Sequence, residues 1–277
     1  MSKSFRASTL RLALAGAAVA LGVAGTAAGV AAASAAPSRH IAPPAVDHQL
    51  CYTAAGLHFR VPSGVRLIDQ FSPNGFVPKI SPTLDVHCNP AEKILPTGHV
   101  VPITNPNAHL ACFPLAPASR QPTPTVQVTN QFGTGTLIPG QPNLVCLPSW
   151  KSLTGPPGKK PATPPGLNHF TCYPVKLAPG SAPYKPPPVM LKDEFATKGP
   201  VGATVSRIPI ELCLPTEKIV GTHVFPIINP AMHLLCFPVT ATPVIPKVWD
   251  ENQFGTSVAQ VHATNWLCVP STKKIVG

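Results

Sequence analysis

Residues 99–115 read HVVPITNPNAHLACFPL and residues 223–239 read HVFPIINPAMHLLCFPV, identical at eleven of seventeen positions. Self-similarity of this kind announces a repeat architecture and constrains the fold more than any local propensity. Working outward, the core of both stretches, H-x-x-C-[YF], occurs four times: His48 to Tyr52, His109 to Phe113, His169 to Tyr173 and His233 to Phe237. Some twenty residues later comes [DN]-[QE]-F, as Asp69-Gln70-Phe71, Asn130-Gln131-Phe132, Asp193-Glu194-Phe195 and Asn252-Gln253-Phe254. Each module closes on C-x-P-x-x-K, from Cys88 to Lys93, Cys146 to Lys151, Cys213 to Lys218 and Cys268 to Lys273. The pattern absorbs all eight cysteines.

The copies also pair. Modules two and four share the long opening match and a glycine after Asn-Gln-Phe, Gly133 and Gly255, whereas modules one and three carry Asp69 and Asp193 in place of the Asn. The history reads as a two-module unit, duplicated. Between the halves lies SLTGPPGKKPATPPG, residues 152–166, the composition of an extended, semi-rigid linker. A single module of ~50 residues buries too little surface to be stable alone, and a pair of modules is an ordinary domain size. The expectation is therefore two tandem domains, 47–151 (modules 47–93 and 99–151) and 167–277 (modules 167–218 and 223–274).

Period-two alternation supplies the secondary structure. Before each [DN]-[QE]-F, one face carries Leu67, Asp69 and Phe71, and the matching sets are Val128, Asn130, Phe132, then Leu191, Asp193, Phe195, then Val248, Asp250, Asn252, Phe254. In the opening segment His48, Leu50 and Tyr52 share a face and Cys51 points to the other. Proline, 38 of 277 residues, excludes long helices, since each interior Pro costs roughly 3 kcal/mol. Apolar residues at 44% with charged residues at 11% argue against a disordered chain. The fold class is all-β: disulfide-stabilised sandwich or barrel domains, each a pseudo-symmetric pair of modules with at least three strands.

The first 35 residues read as a secretory signal. Lys3, Arg6 and Arg11 precede an apolar Ala/Val/Leu/Gly stretch that ends on Ala33-Ser34-Ala35. Residues 36–46 read as a disordered leader. Cleavage after Ala35 leaves 18 basic against 10 acidic residues, a net charge of +8. That charge is dispersed, with only Lys159-Lys160 and Lys273-Lys274 adjacent. Nucleic-acid binders concentrate charge and interleave aromatics, so the basic surface is read as solvated and no nucleic-acid partner is expected. No later segment reaches membrane-spanning length. The mature chain is expected to be released, with a cell-wall polysaccharide or an extracellular protein as the partner class.

Cysteine and histidine at four stations raise the question of metal. Residues i and i+3 on a strand face opposite ways, so His48 and Cys51 do not chelate one ion. In an exported chain an even cysteine count implies disulfides. The repeat favours Cys51–Cys88, Cys112–Cys146, Cys172–Cys213 and Cys236–Cys268; a swapped set such as Cys51–Cys146 with Cys88–Cys112 is the rival. The repeated His and Asp/Asn are read as structural polar pairs, His48 with Asp69, His109 with Asn130, His169 with Asp193 and His233 with Asn252, because four identical active sites are rare. The closing lysines are expected at strand ends or in solvent. The sequence contains no G-x-S-x-G, H-E-x-x-H, Walker or G-x-G-x-x-G motif, so no catalytic, metal or cofactor residue is assigned. Among unrepeated residues, His87, Asp85 and Glu92 are the candidate constellation, and Trp150, Trp249 and Trp266 are candidate contact residues.

These motifs together resemble the repeats of an uncharacterised family of exported prokaryotic β-repeat proteins, a domain of unknown function, across nearly all of residues 47–274. The resemblance implies an exported β-repeat and carries no catalytic or ligand residue. The function read from the sequence is a secreted, non-catalytic binding or structural protein. A secreted hydrolase using unrepeated residues, and a metal-binding protein using the His/Cys stations, are the alternatives.

Overall fold

The structure, a computed structural model, describes residues 46–56, 59–158, 161, 163–241 and 247–276. The expected signal over 1–35 and the leader over 36–46, apart from Val46, lie outside the described residues. Every regular element among the described residues is a strand.

Each module contributes an opening strand that carries H-x-x-C and a closing strand that carries C-x-P-x-x-K. The opening strands are His48–Gly56, His109–Pro117, His169–Leu177 and His233–Thr240. The closing strands are Leu84–Ile94, Leu144–Ser152, Glu211–Val220 and Gly255–Ile275. Within a module the two run antiparallel with their cysteines directly opposite: Cys51 faces Cys88, Cys112 faces Cys146, Cys172 faces Cys213 and Cys236 faces Cys268. Those four pairs are the disulfides, and no cysteine is free.

The modules then join edge to edge. Closing strand one pairs with opening strand two (Val86–Cys88 on Leu110–Cys112), two with three (Leu144–Cys146 on Phe170–Cys172), and three with four (Glu211–Cys213 on Leu234–Cys236). Closing strand four returns to opening strand one, with Gln49, Leu50 and Cys51 on Cys268, Leu267 and Trp266. Eight antiparallel ladders therefore close a ring. The first three seams end at the closing cysteine, and the proline two residues on (Pro90, Pro148, Pro215) lies past the end of the seam. There its missing N–H leaves no ladder bond unmade.

An eight-stranded barrel has an interior just wide enough for side chains. Alternation sends every cysteine inward, and all eight line one residual space of about 10 Å³. Leu110, Phe170 and Leu234 fill one side of the lumen with them. Disulfides of adjacent modules touch across two seams, Cys51 Sγ to Cys268 Sγ and Cys146 Sγ to Cys172 Sγ, each 3.7 Å.

Between opening and closing strands every module sends an excursion over the outside of the ring. Its first strand pairs with the closing strand of the opposite module: Arg66–Ile68 on Glu217–Ile219, Val126–Asn130 on Thr272–Ile275, Val189–Lys192 on the end of module one, and Lys247–Asn252 on the end of module two. Farther along, the excursion pairs with the opening strand of the next module, as Pro78–Ile80 does with Leu115–Pro117 and Leu137–Pro139 with Val175–Leu177. In module two the chain reverses through Gln131-Phe132, with Asn130 opposite Gly133. Gly133 takes φ +123°, a conformation that L side chains rarely adopt. The main core lies between ring and excursions, with Leu50, Tyr52, Phe113, Tyr173 and Phe237 packed with Leu67, Val128, Leu191 and Val248.

Two tandem domains are thus replaced by one closed ring. Each module pairs with all three others, and the seam between modules two and three repeats the geometry of the seam inside each half. A half alone would expose two unpaired strand edges. The segment 152–166 is one of three equivalent connections, beside 95–108 and 221–232. Its described residues pack on the body: Trp150 Nε1 donates to Pro161 O at 2.8 Å and Asn105 Nδ2 to Pro165 O at 3.0 Å.

Candidate binding site at the asymmetric corner

The repeated polar residues meet at four corners, each built from two consecutive modules. The histidine and closing lysine of one module reach the [QE]-F of the next. At the first corner His48 Nε2 accepts from Gln131 Nε2 at 2.7 Å and lies 3.2 Å from Lys93 Nζ, which also donates to Gln131 Oε1. At the third His169 Nε2 donates to Gln253 Oε1 at 2.9 Å. At the fourth His233 Nε2 stands 3.4 Å from Gln70 Oε1, and Lys273 Nζ donates to that oxygen at 2.6 Å. Each ammonium also lies over the next module's phenyl ring: Lys93 over Phe132, Lys151 over Phe195, Lys218 over Phe254 and Lys273 over Phe71, at 4.3–5.6 Å. Such cation–π contacts strengthen as they are desolvated.

One expectation is corrected here. The histidines are not partnered by Asp69, Asn130, Asp193 or Asn252. They meet the adjacent Gln or Glu, because the Asp/Asn side chains fold back on their own turns: Asp69 Oδ1 accepts from Phe71 N and Ser72 N, Asn130 Oδ1 from Phe132 N, Asp193 Oδ1 from Phe195 N, and Asn252 Oδ1 from Phe254 N. The closing lysines do lie at strand ends, within two residues of Ile94, Ser152, Val220 and Ile275, and they are withdrawn from open solvent: Lys93 and Lys218 are each 1% exposed, and Lys151 and Lys273 are partly buried. Burial, and after it the neighbouring lysine charge, lowers His48 and His233 to about 4 and His169 to about 3. Burial alone lowers Lys93 and Lys218 to about 8.

The Asp/Asn alternation has its own cause. The second carboxylate oxygen of Asp69 accepts from Tyr173 OH at 2.7 Å, and that of Asp193 from Tyr52 OH at 2.8 Å, linking modules one and three across the ring. Modules two and four have Phe113 and Phe237 in place of the tyrosines; these pack on Phe254 and Phe132 just as Tyr52 and Tyr173 pack on Phe195 and Phe71, without the hydroxyl. With no hydroxyl to satisfy a second buried oxygen, the neutral Asn stands where the Asp would.

One corner departs from the other three. Glu194 replaces the glutamine of the station, and Lys151 Nζ pairs with its Oε2 at 2.8 Å. His109 Nε2 stands 3.9 Å from the same oxygen. Behind them lies a network without counterpart in the other modules. Asn89 Oδ1 accepts from Lys151 Nζ at 2.8 Å and lies 3.1 Å from both His109 Nδ1 and His87 Nε2. Asn89 Nδ2 donates to Asp193 Oδ2 at 2.8 Å, and His87 Nδ1 pairs with Asp250 Oδ2 at 3.1 Å, both side chains fully buried. Positions 87 and 89 are Val145 and Leu147, Leu212 and Leu214, or Leu267 and Val269 in the other modules, and Asp250 stands where they have Leu67, Val128 and Leu191. The unrepeated constellation is therefore His87, Asn89 and Asp250, not His87, Asp85 and Glu92: Asp85 is exposed, and Glu92 lies in the cleft in front. Burial lowers Lys151 against the pull of Glu194, and burial with the Lys151 charge holds His109 well below its ordinary value.

The corner opens on a cleft of about 410 Å³, lined by His109, Asp193, Glu194, Glu92 and Lys192 with an apolar wall of Pro90, Ile103 and Pro106. Among the described residues no group of three or more His, Cys, Asp or Glu is placed to hold a metal ion. Of the tryptophans, Trp266 packs against the cysteine layer, and Trp150 and Trp249 are partly buried. The residues missed in the sequence are Asn89, Asp250 and Glu194. Their signal was polarity at positions where the other copies are apolar or neutral.

Fold and corner together define a class: a cyclic four-module β-barrel, cross-linked through its lumen, with one corner diverged from the repeat. Residues 109–270, more than half of the chain, match the family described as Repeat of unknown function (DUF7450), and the chain belongs to that family. No curated protein and no solved structure matches it.

Proposed function

We propose that the protein is an exported, non-catalytic binding protein: a disulfide-locked ring that presents the asymmetric cleft to a cell-wall polysaccharide or an extracellular protein. The observation that carries this reading is the break in the fourfold pattern. Three corners repeat one arrangement, as a structural role requires, and the corner of His109, Lys151 and Glu194 departs from it with an extra carboxylate and a buried polar network, beside a cleft. Export is supported by the pattern of residues 1–35 and by four disulfides, the chemistry of an oxidising compartment. A binding role is favoured over hydrolysis because the His87–Asp250 pair is fully buried and reaches no substrate.

The test expresses the full chain in an exporting host and fractionates the culture. Mature protein beginning at Ala36, with no free thiol, is expected outside the cell, and it should co-sediment with isolated cell-wall material. Retention in the cytoplasm as a reduced chain, or co-sedimentation unchanged by Glu194→Gln, would refute the reading.

A further inference from the structure

We propose that the cleft takes a primary ammonium group on an aliphatic stem, as at the end of a lysine side chain or an alkyl diamine; this rests on the binding role proposed above. The chain is basic, with 10 acidic residues in all, yet three of them, Glu92, Asp193 and Glu194, line this one cleft. A fourth, Asp250, acts on Lys151 from behind. Asp250 is itself paired with His87, and two lysines stand against the three carboxylates of the cleft. Lys151 is consumed by Glu194 and Asn89, and Lys192, opposite Glu92 in the strand register, is exposed at the rim. His109 adds no charge, since burial and the Lys151 ammonium keep its ring neutral.

Negative charge is thus concentrated where the rest of the surface is positive, and a cation is drawn to it. The stem has its own surface in the wall of Pro90, Ile103 and Pro106, because long basic side chains lay their methylenes on apolar groups while the head stays polar. A volume of about 410 Å³ admits a chain of this size. The pseudo-symmetric position across the ring supplies the contrast. There Ile68 and Gln70 replace Lys192 and Glu194 around Asp69 and His233, so the carboxylate that marks the site is missing.

The experiment titrates the intact, oxidised protein with n-pentylammonium chloride and, separately, with 1-pentanol, following amide shifts of the cleft residues by NMR. Saturable shifts at His109, Glu194 and Ile103 are expected with the amine and not with the alcohol, weakening as salt is raised. Glu194→Gln installs the residue of the other three corners, so it is expected to keep the melting temperature while weakening amine binding at least about tenfold. No saturable shift, equal shifts with pentanol, or unchanged affinity in Glu194→Gln would overturn the proposal. If the amine fails while Glu194→Gln still abolishes co-sedimentation with wall material, the ligand class is wrong and the binding role stands. If both fail, both fall.

Discussion

Replacing Glu211 by Gln removes an ionisable group from inside the ring, and its effect on stability is expected to depend on pH. Glu211 lies on the lumen face two residues before Cys213, where the other modules place Val86, Leu144 and Trp266. One carboxylate oxygen accepts from Asn143 Nδ2 at 2.9 Å. The other oxygen and Asn143 Oδ1 are both buried without a partner. Burial raises Glu211 from 4.5 to about 7, against the lowering effect of the Asn143 hydrogen bond. The folded state therefore binds this proton more tightly than the unfolded chain. The ionisation penalty is absent below about pH 4.5, grows as pH rises, and is complete above about pH 7. A shift of that size corresponds to about 3 kcal/mol. Gln keeps the shape and the acceptor for Asn143 Nδ2 and carries no charge, so Glu211→Gln is expected to match the parent near pH 4.5 and exceed it by up to about 3 kcal/mol at pH 8. For a chain of this length that is roughly 6–12 °C in melting temperature. Thermal melts from pH 4 to 9 read the difference directly. A gap that is flat with pH, or a parent more stable than the variant at pH 8, would refute the burial argument.

Removing one lumen disulfide by Cys112→Ala with Cys146→Ala, at a sequence separation of 34, should cost about 4 kcal/mol in the chain-entropy model; equilibrium denaturation that shows under 1 kcal/mol would count against it. Tyr52→Phe leaves an oxygen of buried Asp193 with one donor fewer and is expected to cost about 1–3 kcal/mol. Adding Asp193→Asn recreates the Phe/Asn combination of modules two and four, so the double variant should recover part of that loss, and simple additivity in a double-mutant cycle would contradict the explanation of the alternation. Residues 47–151 expressed alone are expected to self-associate or stay unfolded, because two seam edges lack partners; a folded monomer in sedimentation velocity would restore the two-domain view.

The class and the module count were legible from the sequence because strand alternation and a repeated motif are local. What was not legible is which edge meets which. Opening strand one meets closing strand four across the whole chain, and nothing in GQPNLVC or LNHFTCY says that Leu144–Cys146 pairs with Phe170–Cys172. The Pro/Gly-rich composition of 152–166 pointed to separation, although this segment, like its less Pro/Gly-rich counterparts 95–108 and 221–232, joins strands that pair. At the corners the residue types were visible and the partners were not: His48 and Gln131 are 83 positions apart, and the adjacent Asp/Asn was the nearer guess. The diverged corner needed no structure to be noticed, only a comparison of the copies position by position.

Closure bears on how such a corner arises. If the ancestor was the two-module half assembling with a second copy of itself, every substitution appeared twice, and any charge placed in the core had to be tolerated at two positions at once. Covalent fusion of the halves lifts that constraint. His87 and Asn89 come from module one, Glu194 from module three and Asp250 from module four, so no single half contains them all. The group belongs to a ring whose two halves had become free to differ.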